Sequence, residues 1–361
     1  ETVQSPARST HAAAVFFRMG LFDKLFGGPK KDAAPTPPAP LPAPTADASH
    51  PPAPGTGSDP VCGLQILYAE TPEWLPEDIA EKLTGHHTSF ATVQVDRQPP
   101  KLHPVFEAPP GQVFHIAWDR HAADLAVLEI PLPAPVLDTC LQGAFFSEDL
   151  KREASHHRAH ALLWYAGQAE DRLEQMVALT LVAGALGAPG GLAVVNENGC
   201  TATSLEIIRG PEGVDPLAHL QQLPIPMLYA GVKIFEIPHH PGAWARTFGC
   251  SLLHLPDLAV NILQHGAGEE HLMLVSRVLA ELAAAKTPLA ENMGMKLNDE
   301  VTVRFRLPHP DEFWLESPTN DLFVLEVTIA KAPPSATAAT PAVPAAPDAP
   351  STPAPPASPP A

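Results

Sequence analysis

This sequence predicts an α+β fold: a mixed β-sheet carrying two principal helices on one face, flanked by disordered tails rich in proline and alanine. Three observations predict it. From His156 to Cys200 the hydrophobic pattern passes from a short apolar run to a helical period and back to a short apolar run. From Glu269 to Lys286 apolar residues recur every three or four positions. Near the end, Val301, Val303, Phe305 and Leu307 alternate with Thr302, Arg304 and Arg306, as in a sheet with one wet face.

Glu1 opens the chain, but MGLFDKLFGG from Met19 has the look of a natural start, with residues 1–18 an upstream extension. In that stretch Leu21, Phe22, Leu25 and Phe26 form an apolar stripe at helical spacing, ended by Gly27 and Gly28. It is expected to dock on a partner or, weakly, to touch a membrane surface through residues 20–26. A secretory leader is not expected, because the apolar part is short and runs into Gly-Gly-Pro-Lys-Lys. Residues 32–60 and 331–361 are dominated by Pro, Ala, Ser and Thr, too poor in bulky side chains to offset ordering entropy. They read as tethers with polyproline character. What remains is divided into a small, mostly β part at 61–135 and an α+β part at 136–330.

Gly63 to Ala69 reads as a strand and Pro76 to Leu83 as a short helix. Alternation from Ser89 to Val95 predicts a further strand. Val113 to Trp118 and Leu125 to Ile130 add two, separated by the polar turn Asp119 to His121, and Pro131, Pro133 and Pro135 close this part. Ala159 to Tyr165 suits a buried strand. Glu170 to Leu186 is a helix with carboxylates in its first turns, and Leu192 to Val195 is another strand. Together they make a βαβ unit with its two strands parallel. A transmembrane reading competes, since Gln175 to Asn196 is uncharged and long enough to span a bilayer at roughly 20 residues. Gly184, Gly187, Pro189, Gly190 and Gly191 interrupt it, which favours the water-soluble unit. Gly231 to Ile237 is a strand, and Phe323 to Ile329 pairs antiparallel with Glu300 to Leu307.

Forty acidic against 22 basic residues give a net charge of −18, which opposes binding to nucleic acid and favours a basic protein partner. Cys62, Cys140, Cys200 and Cys250 form no CxxC pair, so they read as buried thiols in a reducing, cytoplasmic compartment. Seventeen histidines invite a metal reading, with His156, His157 and His160 the best set. That spacing converges only on a helix, however, and this segment leads into a strand without an HExxH motif. GxSxG is absent, and GALGAPGG follows a helix where a phosphate loop would follow a strand. No metal or cofactor is expected. One segment combines an aromatic ring, a guanidinium and a carboxylate: Trp244, Arg246, Thr247, His254 and Asp257, a candidate site for a partner or a small anion. Its structural reading is a loop in which Arg246 pairs with Asp257 to hold a corner.

The βαβ unit, the strand ending at Ile237, the run Trp244-Ala-Arg246-Thr247-Phe248-Gly249 with Pro256-Asp257-Leu258, and the closing helix and strands resemble a bacterial family known as domain of unknown function 4261. The resemblance spans about 156–330. It implies no activity. The expectation is a non-enzymatic cytoplasmic interaction protein. Alternatives are a toxin-neutralising or stress-response binding protein, or a metal enzyme or hydrolase using His156, His160 or His254.

Overall fold

The computed structural model describes residues 62–99, 111–263, 268–285, 288–315 and 321–329. Both tails and the apolar stripe at Leu21, Phe22, Leu25 and Phe26 lie outside the described residues.

The first half of the chain builds one sheet of seven strands. Its strands are β1 (Gly63–Tyr68), β2 (Gln94–Gln98), β3 (Gln112–Trp118), β4 (His121–Leu128), β5 (Ala159–Tyr165), β6 (Gly191–Asn196) and β7 (Thr201–Ser204). They are ordered β2-β3-β4-β5-β1-β6-β7, and every neighbour is antiparallel. β5 and β6 both run antiparallel to β1, so they are parallel to each other with β1 inserted between them. The expected βαβ unit is therefore present in split form. The divide expected at 135/136 falls between β4 and β5, which are adjacent in this sheet.

Helices cover both faces. On one lie α1 (Pro76–His86) and α4 (Arg172–Leu186); on the other lie α2 (Ala134–Gln142) and α3 (Glu148–Ser155). The strand pleat sorts the side chains: Leu64, Ile66 and Tyr68 join the core under α4, while Leu67 joins the cluster under α2 with Leu137, Leu141 and Val195. Burial on both faces explains why β5 and β6 read as continuous apolar runs. The proline cluster turns out to launch a helix, with Pro133 at the N-cap of α2 and Pro135 in its first turn.

Helix α4 is the hub. Gln175 to Leu186 are all buried, because the sheet lies on one side and α1, α5 (Leu205–Arg209) and α6 (Pro216–Gln222) close the others. A helix buried all round needs no polar face, so the uncharged run marks a core and not a bilayer span. Among the described residues no helix is long and apolar enough to cross a membrane. Asp171 starts α4 by accepting from the N–H groups of Leu173 and Glu174 at 3.0 and 3.2 Å.

After α7 (Ile225–Leu228) the second half forms a six-stranded sheet. Its strands are β8 (Gly231–Glu236), β9 (Ala243–Phe248), β10 (Asp257–Ile262), β11 (Gly294–Lys296), β12 (Val301–Arg306) and β13 (Leu322–Ile329), in the order β11-β12-β13-β10-β9-β8. It is mixed, with β10 and β13 parallel and the other pairs antiparallel. Helix α8 (Gly268–Ala285) packs its Val275, Val278, Leu279 and Leu282 on one face with Leu258, Val260, Val303 and Phe305. The α+β class stands as expected, with each principal helix on its own sheet. One continuous core runs through α4, α8 and the inner faces of both sheets.

The strand expected from Ser89 to Val95 is corrected. Thr88–Phe90 is a 3-10 turn and pairing begins only at Gln94, because His87 Nδ1 accepts from Ser89 N–H at 3.1 Å and Phe90 is pulled fully into the core.

Candidate functional site

The segment expected to be a loop around Arg246 is instead a strand pair, β9 and β10, joined by a 3-10 turn at Cys250–Leu253. The run is short, and its one long charged side chain, Arg246, lies inside the fold, so an alternation rule could not find the strand. Trp244 and Arg246 point to the outer face of the six-stranded sheet, away from α8, while Ala245 joins the shared core.

Arg246 is 8% exposed, and its guanidinium carbon lies 4.9 Å from the centre of the Phe248 ring, which Lys233 Nζ also approaches at 5.3 Å. Burial lowers the pKa of Arg246, and the negative charge of Asp257 partly restores it. Asp257 is buried; its Oδ1 accepts from Cys250 N–H at 3.2 Å and from the Thr247 hydroxyl at 3.4 Å. Thr247 Oγ1 in turn accepts from Leu258 N–H at 2.7 Å. Burial first, and then the Asp257 charge, push the Cys250 thiol well above its ordinary pKa, so it is an inert packing group.

Arg246, Thr247 and Asp257 thus form a buried corner whose polar groups face one another, and Trp244 is buried on the same strand. His254 is separate. It is exposed, adopts a left-handed backbone (φ 55°), and its Nε2 accepts from Arg172 Nε at 3.2 Å, which ties the β9–β10 turn to the start of α4. A nitrogen accepting that bond is not free to ligate a metal.

Several other histidines are likewise engaged. Leu132 N–H donates to His157 Nε2 at 2.7 Å, and His157 Nδ1 donates to the Ala154 carbonyl at 2.8 Å. His160 Nδ1 donates to Ile130 O at 2.8 Å, and exposed His156 bonds the Arg152 carbonyl through Nδ1 at 2.7 Å. Three imidazoles from one short stretch therefore go to three different backbone carbonyls. His87 spans from Ser89 to Asp215, and His240 packs on Trp314 with ring centres 4.4 Å apart. Among the described residues no group of three His, Cys, Asp or Glu side chains is placed to hold a metal ion.

Two features escaped the sequence. Glu174, His121 and Tyr165 form a polar chain: the Tyr165 hydroxyl accepts from Ala169 N–H at 3.1 Å and meets His121 Nδ1 at 2.9 Å, and His121 Nε2 lies 3.4 Å from Glu174. Burial lowers the pKa of His121 and raises that of Tyr165, so each favours its neutral form. The second is an aromatic patch on the outer face, where Trp314 meets Trp244, His240 and Phe313 with ring centres 6.3, 4.4 and 5.2 Å away. Its only sequence trace was Phe313-Trp314 in a proline-punctuated stretch. A hollow of about 600 Å³ also opens beside α3, lined by Glu70, Asp149, Arg152, Glu153, His156 and Arg158. Those six side chains are all exposed, which describes a wide surface recess.

No family model, curated protein or solved structure matches this chain.

Proposed function

We propose that this chain is a non-enzymatic cytoplasmic binding protein whose partner carries surplus positive charge. The observation that supports it is how the fold uses its cations. Arg306 is clamped by Glu312 through two bonds of 2.7 Å, Arg120 by Glu174 at 2.5 Å, and Arg246 lies against Asp257 and Phe248. Lys82 and Arg277 give their donors to the carbonyls of Ala188 and Leu297. These cations are engaged by carboxylates, a ring or carbonyls of the same chain, and the sequence carries 40 acidic against 22 basic residues, a net charge of −18. Such a field attracts basic partners and accelerates their association.

The discriminating experiment is capture of partners from the native cytosol at low and at high salt. Basic proteins retained at low ionic strength and released by about 0.5 M salt fit the reading, because the Debye length then falls to a few Å. Partners with no basic excess, held regardless of salt, overturn it. A toxin-neutralising role is the same reading with the partner specified as a basic toxin. Under this proposal the tails act as tethers and residues 20–26 as a docking stripe. Deleting residues 19–28 should alter the captured set or the membrane fraction, and an unchanged result removes the tether from the proposal. Membership of 156–330 in the domain of unknown function 4261 family is part of the same proposal and rests on the sequence motifs.

A further inference from the structure

The outer face of the six-stranded sheet holds a concentration of polar atoms that the fold leaves idle. Trp244 is 4% exposed, and its indole N–H is shielded from water with no partner among the described residues; the Trp314 indole N–H and Asn261 Oδ1 are in the same state. Asn261 stands directly opposite Trp244 in the β9–β10 register, and Trp314 packs on Trp244 at 6.3 Å. An unmade bond at a buried donor or acceptor costs about 1–3 kcal/mol, so three in one patch call for an explanation. Around them lie half-buried Phe235, Ile237 and Trp314 and the 68%-exposed ring of Phe313. Two N–H donors and one carbonyl acceptor in an aromatic surround match a peptide backbone rich in carbonyls and poor in N–H groups, which is what proline-rich chain offers. Aromatic grooves take such segments because their polyproline II shape loses little entropy on binding.

We propose that this patch is a docking surface for the chain's own proline- and alanine-rich C-terminal segment, residues 332–361. Where the described chain ends supports this occupant. β13 runs parallel to β10 with Ala259 level with Val324, so Asn261 is level with Glu326, and the chain leaves the sheet at Ile329, at the same end. Trp244 lies two strands from β13, roughly 10 Å across. At about 3.1 Å per residue in polyproline II, a handful of residues closes that gap, and the chain continues to Ala361. The segment is nearly uncharged, with Asp348 its one ionic side chain, which suits a patch whose idle atoms are neutral. Because the tether holds the segment at high effective concentration, weak intrinsic binding suffices. Trp314 is half-buried, and under the proposal its ring rotates so that its N–H meets a carbonyl of the segment.

The test uses the 361-residue chain and a variant of the same length in which residues 332–361 are replaced by a glycine–serine segment. The chain has 5 tryptophans, so its indole N–H resonances are few and can be assigned with Trp244→Phe and Trp314→Phe. The expected result is that the swap shifts the Trp244 and Trp314 resonances and leaves those of Trp74, Trp118 and Trp164 in place. A synthetic peptide of residues 332–361 then restores them, and Trp314→Phe weakens its binding roughly fivefold by removing one N–H···O bond. The unmoved resonances report an intact fold. Identical spectra for the two chains, or a peptide that restores nothing, overturn the proposal. Restoration by a peptide of residues 32–60 but not by 332–361 also overturns it, by assigning the surface to a different segment.

Discussion

Asn196 and Tyr229 tie the two sheets together: the Asn196 carboxamide nitrogen donates to the Tyr229 carbonyl at 2.9 Å, while its oxygen accepts from Gly199 N–H at 3.1 Å. Asn196 ends β6 and Tyr229 leads into β8, so one buried amide bridges the end of a strand in the first sheet and the start of the second. Replacing it by Leu keeps the approximate volume but strands a carbonyl and an N–H in the core. The expected loss is about 2–4 kcal/mol, read as a lower urea midpoint with an unchanged slope.

The same junction fixes Gly231. A Cβ there would lie 2.2 Å from the Gly199 carbonyl oxygen and 2.9 Å from that of Cys200, and backbone atoms cannot step aside as a side-chain tip can. Gly231→Ala should therefore cost more than about 2 kcal/mol, as overpacking does. Gly85, inside α1, has nothing within 4 Å of a Cβ, and Gly85→Ala should stabilise by about 0.5–1 kcal/mol. Opposite signs from one substitution type, measured by thermal or urea unfolding, are the check.

Legibility followed burial symmetry. Val303 and Phe305 face the core while Thr302 and Arg304 face water, so β12 announced itself by alternation and brought β13 with it. β5 and β6 are covered on both faces and were found as apolar runs bounded by glycine and polar residues. The insertion of β1 between them was not legible, because Gly63–Tyr68 is separated from β5 by most of the first sheet and strand order is carried by long-range pairing. β9 was missed because Trp244, Ala245, Arg246 and Thr247 are all buried, one of them a cation, which no period-2 pattern expresses. In the candidate site, the chemistry of Arg246 and Asp257 was visible and so was their mutual attraction. That His254 would turn to Arg172, and that Trp314 would come to Trp244 from 70 residues away, depends on the fold.

Thr247 tests whether the buried corner is structural. Its hydroxyl accepts from Leu258 N–H at 2.7 Å and takes the Cys250 thiol at 3.3 Å, with the side chain fully buried. Thr247→Val has almost the same shape but offers no acceptor. A loss of about 1–3 kcal/mol in urea unfolding is expected, with faster hydrogen exchange at the Leu258 amide. Unchanged protection at that amide would show that the hydroxyl is not its partner in solution.

The buried histidines set the response to acid. His157 holds Leu132 N–H and the Ala154 carbonyl at once, which only the neutral ring with its proton on Nδ1 can do. Burial lowers its pKa below the ordinary 6.5, against a smaller opposing effect from the Ala154 carbonyl; burial does the same to His160, and to His86, which falls to about 4. For each, the unfolded chain takes up a proton more readily than the folded one. Their contribution to stability is therefore complete above about pH 6.5 and is lost as pH falls through the folded values. Unfolding free energy should decline from pH 7 toward pH 5, before most carboxylates titrate. His157→Gln cannot titrate, and should lower stability at pH 7 by about 1–3 kcal/mol through the two lost bonds while making the pH 7 to 5 slope shallower. A slope identical to that of the unsubstituted chain would mean that His157 binds the same number of protons folded and unfolded across that range, and a steeper one that it is protonated in the fold.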